Sequence, residues 1–540
     1  MTRAIKIFWY TAYRIDKLCQ GAYGAFNLKW YYTLILKEAS KAVVLLLESA
    51  DQETDMSNHT KKILDYFEQL NSIPRCSGNE AQVCRWLQQW ADRLGYESQA
   101  DAGGNLVVRV PAAEGHQTDP ILILQGHMDM VCEKTPDSRH DFSKDPIRSH
   151  MDQDWLTADD TTLGADNGIA IAYMMTLAED TDLVRPPLEL LFTVDEESGL
   201  NGAKLLQPDF VKGNVLINLD SEDEGVFTIG CAGGIDTTVT RTIAFEPVPA
   251  GYRAYSLLIG GLKGGHSGID IGKHRANANK VLARALARIC STCAMRIGSL
   301  EGGTRHNAIP RDARAAVMIP SSEAGIVQEA VRAMETTVLA EYGATDPGLF
   351  IRFEAEENGH AIVNATTPSE TQHVIHMLLA LPSGVASMSS EFRGLVETSS
   401  NLATVNLVDG QLSILHSQRS AVMSRLEEIC SSVHSLAALA GASVQDANAY
   451  PPWQPNTESY VLKTSKAVYQ RMFGRPPEIQ VIHAGLECAV IGDIYRGMDM
   501  ISFGPTIENP HAPGERLLVP SVEAVWKFLV TTIEELATAG

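Results

Sequence analysis

The 540-residue chain contains no run of about 18 uninterrupted apolar residues, so we predict no transmembrane helix. It is also short of positive charge, because 44 Lys and Arg stand against 66 Asp and Glu, which gives a formal net charge of −22. An acidic surface repels the phosphates of nucleic acids and of anionic membranes. We therefore expect neither nucleic acid nor membrane as a partner.

The nine cysteines are scattered, and their odd number and spacing match no disulfide framework. We therefore expect reduced thiols and a cytoplasmic protein. The chain also lacks internal repeats and low-complexity tracts. Its hydrophobic content of 45% is ordinary for a globular protein, and its length favours several domains at about 150 residues each.

Residues 1–55 differ from the rest of the chain because they are rich in aromatic and basic residues. Four interpretations are open: an upstream extension from a misassigned start, an amphipathic segment at a membrane interface, a structured cap, or a partner-binding module. We favour the first, with Met56 as the true start. This methionine shortly precedes the first clear amphipathic helix pattern, over residues 63–70.

Short apolar runs alternate with helical patterns between residue 56 and about residue 233. The runs at 121–124, 188–194 and 215–219 are typical of buried strands, and 168–177 is typical of a helix. This alternation predicts an α/β fold with a doubly wound, mainly parallel sheet. Ligands of such sheets gather beyond the carboxyl ends of the strands.

The pattern changes between residues 234 and 447, where alternating runs and helices occur without a cluster of metal-binding residue types. Strand patterns like those of the first part return after residue 448. We therefore predict a catalytic domain in two parts, residues 56–233 and 448–540, interrupted by an inserted α+β lid domain at residues 234–447.

Five side chains follow or close these segments and form a candidate metal site: His127, Asp166, Glu197, Asp220 and His511. Two divalent ions that share one carboxylate need about five protein ligands, and imidazole together with carboxylate suits zinc. The residues therefore predict a two-zinc hydrolase.

Two further acidic residues have the spacing of supporting groups. Asp129 lies two residues after His127, where its carboxylate can brace the imidazole from behind. Glu196 is adjacent to Glu197, so on an extended chain one side chain can bind metal while the other faces water as a general base. A surface His–Asp pair and a solvated acidic loop are the alternatives, and the apolar strands that precede both segments argue against them.

The motifs together resemble the aminoacyl-histidine dipeptidases, a branch of the di-zinc metallopeptidases related to carboxypeptidase G and acetylornithine deacetylase. The matching segments are 124–130, 162–168, 195–197, 218–222, 230–236, 262–268, 307–310, 482–488 and 504–506. The resemblance implies hydrolysis of dipeptides, typically with a C-terminal histidine and including carnosine-like substrates. It also implies that Asp166 bridges two zinc ions, with His127 and Asp220 completing one site and Glu197 and His511 the other. Co²⁺ or Mn²⁺ could substitute for zinc.

The resemblance also implies roles for residues outside the metal ligands. His266 would help to stabilise the oxyanion, in some relatives by reaching across a dimer formed through the lid, although a simple turn residue is the alternative. Asn307, Arg419 and Gly504 are candidates for binding the substrate backbone or carboxylate, since a guanidinium fork fits a carboxylate. His306 stands where arginine often precedes the asparagine in this family.

Two other functions are compatible with the sequence. A related di-zinc deacylase acting on N-acyl amino acids would share all the metal ligands and differ only in lid contacts. A non-catalytic binding protein with the same fold would have lost ligands or the base, and none is missing here.

Overall fold

A computed structural model describes residues 56–356 and 363–538 of the chain. The predictions made for residues 1–55 therefore lie outside the described residues. Within the part that the structure describes, no helix is both long enough and apolar enough to span a bilayer.

The helices of the described residues are, in chain order, α1 (Asn58–Asn71), α2 (Ala81–Leu94), α3 (Ala165–Ala178), α4 (Asn201–Leu205), α5 (Ala278–Cys290), α6 (Ala324–Tyr342), α7 (Pro368–Ala380), α8 (Met423–Leu439), α9 (Tyr460–Phe473), α10 (Glu487–Ile494) and α11 (Val519–Thr538). Short 3-10 turns occur at Ile271–Lys273 and Ser321–Glu323.

The strands are β1 (Glu97–Ala100), β2 (Leu106–Val110), β3 (Leu122–His127), β4 (Ser149–Asp152), β5 (Trp155–Ala158), β6 (Leu188–Thr193), β7 (Val215–Asn218), β8 (Val226–Cys231), β9 (Gly233–Thr242), β10 (Phe245–Pro247), β11 (Tyr252–Gly260), β12 (Gly265–His266), β13 (Arg296–Gly302), β14 (Ala308–Ile309), β15 (Ala313–Pro320), β16 (Phe350–Ala355), β17 (Asn364–Thr366), β18 (Gly384–Met388), β19 (Val396–Val408), β20 (Gln411–Ser420), β21 (Ser443–Tyr450), β22 (Glu478–Ile482), β23 (Asp499–Ser502), β24 (Ile507–Glu508) and β25 (Arg516–Leu518).

The first sheet has eight strands in the order β1-β2-β6-β3-β7-β23-β8-β22. Its centre is parallel, because β3 pairs in parallel with both β6 and β7, and β7 pairs in parallel with β23. Antiparallel pairing occurs at the β1–β2–β6 edge and between β23 and β8. This mixed α/β sheet with a parallel centre confirms the predicted fold class.

Helices cover both faces of this sheet because its strands are apolar on both sides. Leu122 and Leu124 of β3 pack into a core with α1, α2, α3, α9 and α11, whereas Ile123 between them packs into a second core with α4 and α10. The alternation of side chains along one strand thus feeds two layers of helices. The sheet is doubly wound, as the sequence pattern predicted.

The second sheet is antiparallel and has nine strands, in the order β16-β11-β15-β13-β19-β20-β9-β21, with β18 also paired to β19. Residues of α5, α6, α7 and α8 pack against it in a separate core. All its strands lie between Gly233 and Tyr450, and the chain then returns to the first sheet at β22. This is the α+β lid of the predicted fold class.

The expectation that all cysteines are reduced is wrong for one pair. Cys76 and Cys132 form a disulfide across a sequence separation of 56 residues. No spacing motif in the sequence marks this pair. The fold brings the loop before α2 beside the segment after β3, where the backbones of Cys76 and Met130 pair in an isolated β-bridge. The other cysteines of the described residues are free.

Candidate metal centre

The candidate ligands converge at the carboxyl ends of the central parallel strands. His127 is the last residue of β3, Glu197 follows β6, and Asp220 follows β7. Asp166 lies in the first turn of α3, after Gly164, whose φ of 72° reverses the chain into the helix. His511 lies in the loop between β24 and β25. Parallel strands end at one edge of the sheet, so segments far apart in sequence meet there.

Asp166 occupies the middle of the cluster. Its Oδ1 atom lies 3.1 Å from His127 Nε2, which lies 3.5 Å from Asp220 Oδ1. Its Oδ2 atom lies 2.9 Å from His511 Nε2, which lies 3.1 Å from Glu197 Oε2. The two oxygens of one carboxylate therefore face two separate groups, each with one histidine and one carboxylate.

The donor atoms fit a pair of divalent cations. Imidazole nitrogen and carboxylate oxygen are ligands that zinc accepts. The Oε1 atom of Glu197 is buried and has no hydrogen-bond partner within the described residues. A buried, unsatisfied carboxylate oxygen is costly unless something binds it. Nitrogen and oxygen donors that converge in this way suit metal coordination.

Burial disfavours the ionised forms of the carboxyl groups in the cluster. It raises the pKa of Glu197 to about 7, and the charge of Asp166 adds to the shift. It also raises the pKa of Asp220 to about 6, although the nearby His127 opposes this. The pKa of Glu196 lies well above its usual value, again chiefly through burial. Bound cations would favour the ionised forms of all three carboxyl groups.

Asp129 connects His127 to the loop of the two glutamates. His127 Nδ1 donates to the backbone carbonyl of Asp129 at 3.0 Å and lies 3.3 Å from Asp129 Oδ1, which accepts a hydrogen bond from the backbone N–H of Glu196 at 3.1 Å. The Oδ2 atom of Asp129 accepts from the backbone N–H of Glu197 at 3.2 Å and from the Ser77 hydroxyl at 2.8 Å. Asp129 therefore orients the imidazole through its backbone carbonyl and nearby carboxylate, and its carboxylate fixes the segment after β6.

Glu515 is a buried residue that the sequence analysis missed. Its carboxylate accepts four backbone hydrogen bonds, from the N–H groups of Leu163 at 2.7 Å, Gly164 at 2.9 Å, Ala165 at 2.7 Å and Asp166 at 3.2 Å. It thereby holds the turn that presents Asp166. No local pattern marks this glutamate, which stands four residues after His511 in the sequence.

Arg75 is a second residue missed by the sequence analysis. Its guanidinium is buried, and Nη2 donates to the Gly164 carbonyl at 2.6 Å. Its Nη1 donates to the carbonyls of Met128 at 3.3 Å and Asp129 at 3.2 Å. The arginine thus ties the segment after β3 to the turn before α3, from a loop that carries no recognisable motif.

A cavity of about 1020 Å³ opens above the cluster and lies between the two sheets. Its lining includes Asp166, Glu196, Glu197, Asp220 and His511 from the first sheet and its loops, and His266, Asn307 and Arg419 from the lid. Gly504 is not brought to the cavity. It packs so closely on the segment after Asp220 that an added Cβ would lie 1.9 Å from the Ser221 carbonyl oxygen.

His266 faces the cavity as a neutral donor. Its Nδ1 atom accepts hydrogen bonds from the backbone N–H groups of Gly268 and Ile269, both at 3.2 Å. An accepting Nδ1 places the proton of the neutral ring on Nε2. Burial and the nearby charge of Arg419 lower the pKa of His266 to about 4, so the ring stays neutral at pH 7.

Two contacts join the loop that contains Asn307 to other segments of the lid. The Asn307 carbonyl accepts a hydrogen bond from the backbone N–H of Ser267 at 2.8 Å, beside His266. His306 Nδ1 lies 2.9 Å from Asp236 Oδ2, on β9. The histidine that stands where arginine is often found therefore anchors this loop to the lid sheet.

Arg419 is a buried cation without an acidic partner. The residue is 7% exposed, and no carboxylate in the described ranges pairs with it. Nη1 donates to the Tyr450 hydroxyl at 2.6 Å, whereas the buried Nε has no hydrogen-bond partner there. A buried guanidinium with spare donors and no counter-ion is suited to an anionic ligand.

Comparisons with known proteins show the family to which the chain belongs. The family model for peptidase family M20/M25/M40 matches residues 123–535. The chain is 39% identical over 472 residues to the cytosol non-specific dipeptidase of Escherichia coli (strain K12), and the match covers 87% of this chain and 97% of that protein.

The crystal structure of aminoacylhistidine dipeptidase from Vibrio alginolyticus is similar with a TM-score of 0.79 and 36% identity, over 89% of this chain and 97% of that one. Aminopeptidase PepT from Bacillus cereus shares the fold, with a TM-score of 0.52 at 18% identity over 88% of this chain and 99% of that one. The chain, whose motifs resemble one branch of these enzymes, belongs to peptidase family M20/M25/M40.

Proposed function

We propose that the chain is a two-metal dipeptidase that hydrolyses Xaa-His dipeptides, including carnosine-like substrates. The observation that carries this proposal is the position of Asp166, with one histidine and one carboxylate on each side of it, at the floor of a cavity that also contains the unpaired Arg419. The names of the Escherichia coli and Vibrio alginolyticus relatives support the substrate class.

In this proposal, His127, Asp166 and Asp220 hold one zinc ion, and Asp166, Glu197 and His511 hold the other. Co²⁺ or Mn²⁺ could replace zinc, because the donor set is nitrogen and oxygen. Divalent cations held by these residues would supply Lewis acidity, which acidifies water and polarises the peptide carbonyl.

The chain's own residues would then move the proton and bind the developing charge. Glu196, which lines the cavity beside the ligand Glu197, takes a proton from the attacking water and returns it to the leaving amine nitrogen. The Nε2–H of His266 donates to the carbonyl oxygen as negative charge develops on it. Asp129 keeps the His127 ring and the Glu196 backbone in place throughout.

Arg419 would bind the C-terminal carboxylate of the dipeptide, and Asn307 would bind the substrate backbone. A carboxylate would give the buried guanidinium the counter-ion that the described residues do not provide. This requirement favours dipeptides with a free C terminus. Gly504 has no part in substrate binding in this proposal, because it packs against Ser221.

We further propose that the protein is cytoplasmic and forms a homodimer through the lid. The name of the Escherichia coli relative supports the first proposal, and the sequence resemblance supports the second. Sedimentation velocity of the purified chain tests the dimer, because a single monomeric species would contradict it.

A substrate panel tests the proposed activity. The purified chain, supplied with zinc, is incubated with Ala-His, β-alanyl-His and a set of N-acetyl amino acids. Release of free histidine from the dipeptides is the expected result. Release of acetate without hydrolysis of any dipeptide would instead identify a deacylase and contradict the proposal.

A variant tests the general base. Glu196→Gln keeps the shape of the side chain but cannot accept the proton, so we expect turnover to fall by about 10²–10⁴-fold while the metal content is unchanged. Glu114→Gln, at an exposed surface position, is the matched control and should behave as the parent chain. Parent-like turnover of Glu196→Gln would remove Glu196 from the mechanism.

A further inference from the structure

The ring of Tyr450 is held between two glycines in the wall of the cavity. An added Cβ on Gly234, in β9 of the lid sheet, would lie 2.7 Å from Tyr450 Oη. An added Cβ on Gly485, in the loop after β22 of the first sheet, would lie 2.9 Å from Tyr450 Cε2. Neither face therefore has room for a larger residue unless the ring moves, and elements of both sheets fix its orientation.

The hydroxyl of this fixed ring meets the guanidinium of Arg419. Nη1 of the arginine donates to Tyr450 Oη at 2.6 Å. Within the described ranges of the chain, this hydroxyl is the only acceptor that the guanidinium reaches, and the buried Nε atom has none. The orientation of a buried cation in the cavity therefore depends on one tyrosine.

Fixing Nη1 determines which edge of the guanidinium is left for a ligand. The group is planar, and its Nε and Nη2 N–H groups lie on one edge in the geometry of a carboxylate. Both are without an acceptor within the described residues, whereas Nη1 is occupied. The hydroxyl of Tyr450 thus holds the arginine in the orientation in which two parallel hydrogen bonds to a carboxylate can form.

We propose that Tyr450 is a positioning residue that makes the site selective for substrates with a free C-terminal carboxylate. This inference rests on the proposed function, because it takes Arg419 as the carboxylate-binding group. Tyr450 acts through Arg419 and not on the reacting atoms. Its loss should therefore weaken the binding of dipeptides and leave the chemical step unchanged.

The test compares a dipeptide with its amide in the zinc-loaded full chain. Tyr450→Phe removes only the hydroxyl, so KM for Ala-His should rise by roughly tenfold, the effect of one hydrogen bond to a charged group, with kcat within about twofold of the parent value. KM for Ala-His amide, which lacks the carboxylate, should not change. Tyr96→Phe is the matched control, because it removes a hydroxyl that donates to the Ala178 carbonyl at 2.7 Å. It should leave KM and kcat unchanged for both substrates.

A second variant and a double variant make the result specific. Gly485→Ala adds a Cβ 2.9 Å from Tyr450 Cε2, so the ring must shift relative to Arg419 although neither side chain is changed, and the variant should show the same selective rise in KM. In an Arg419→Lys background, Tyr450→Phe should have no further effect, because the fork that it orients is absent. Gly485→Ala replaces Tyr450→Phe as the test if circular dichroism shows that the latter is unfolded.

Two results would overturn the inference: an unchanged KM for Ala-His in both variants, or an equal rise in KM for Ala-His and its amide. The second result would mean that Tyr450 shapes the cavity for any substrate. If the parent chain cleaved no dipeptide at all, the proposed function would be wrong. Calorimetric binding of Ala-His and its amide to the parent and variant chains would then still decide the role of Tyr450.

Discussion

Replacing Glu515 by glutamine should loosen the metal centre without touching a ligand. The carboxylate is 1% exposed and accepts the backbone N–H groups of four consecutive residues, 163–166. In Glu515→Gln, an amide NH2 replaces one of the two oxygens, so two of those N–H groups face a donor. At about 1–3 kcal/mol for each unsatisfied group, the native turn loses about 2–6 kcal/mol.

This turn presents Asp166 to both candidate metal positions, so the loss should appear as weaker metal retention. Outer groups that support metal ligands typically contribute about 10–100-fold in affinity, and we expect a loss of that size for Glu515→Gln. The assay is competition with a zinc chelator of known affinity, together with circular dichroism to verify the fold.

A matched control for Glu515→Gln is available at Glu508. Glu508 in β24 pairs with Arg516 near the surface, with Arg516 Nε 2.9 Å from Glu508 Oε2, and an exposed pair of this kind contributes about 0–1 kcal/mol. Glu508→Gln should therefore retain zinc as the parent chain does. If Glu515→Gln also retained zinc like the parent chain, the role assigned to Glu515 would be refuted.

Three further predictions concern stability and the disulfide. Burial, and next the charge of Lys280, lowers the pKa of His416 from its unfolded value of 6.5 to about 3. As pH falls from 6.5 towards 3, the unfolded chain gains a proton on this ring and the folded chain does not, so the free energy of unfolding falls. His416→Gln should flatten the acid destabilisation by about 1.4 kcal/mol per pH unit in that window, measured by urea unfolding, and an unchanged pH slope would contradict this. In protein alkylated without reductant, peptide mass analysis should find Cys76 and Cys132 joined, and two alkylated cysteines would contradict the disulfide. Gly504→Ala should lower the free energy of unfolding by about 1–3 kcal/mol, because its Cβ would lie 1.9 Å from the Ser221 carbonyl oxygen. A variant that lost activity but kept the stability of the parent chain would contradict this and would indicate that Gly504 binds substrate.

Local patterns predicted the elements that carry the site. The apolar runs at 188–194 and 215–219 form β6 (Leu188–Thr193) and β7 (Val215–Asn218), and the helical pattern at 168–177 lies within α3 (Ala165–Ala178). His127 was expected just past its strand, but β3 extends through it because it pairs with Thr193 of β6. The end of β3 depends on its pairing with β6, and the sequence of β3 alone does not reveal that pairing.

The residues that the sequence missed act through contacts between distant segments. Glu515 binds backbone N–H groups some 350 positions away, and Arg75 binds carbonyls of two separate loops. Neither has a local signature, since any buried carboxylate or guanidinium could occupy such a place once the fold exists. Gly504 was expected to bind substrate, whereas in the structure it packs closely on the Ser221 backbone, because glycines in motifs also serve close packing of backbones.

Metal analysis of the parent chain and of Asp166→Ala tests most directly whether two cations share one carboxylate. After zinc loading and gel filtration, mass spectrometry of the eluted protein should find two zinc ions per parent chain and fewer than one per Asp166→Ala chain, because both groups of ligands lose a member. Two ions retained by Asp166→Ala, or no zinc bound by the parent chain, would contradict the shared centre.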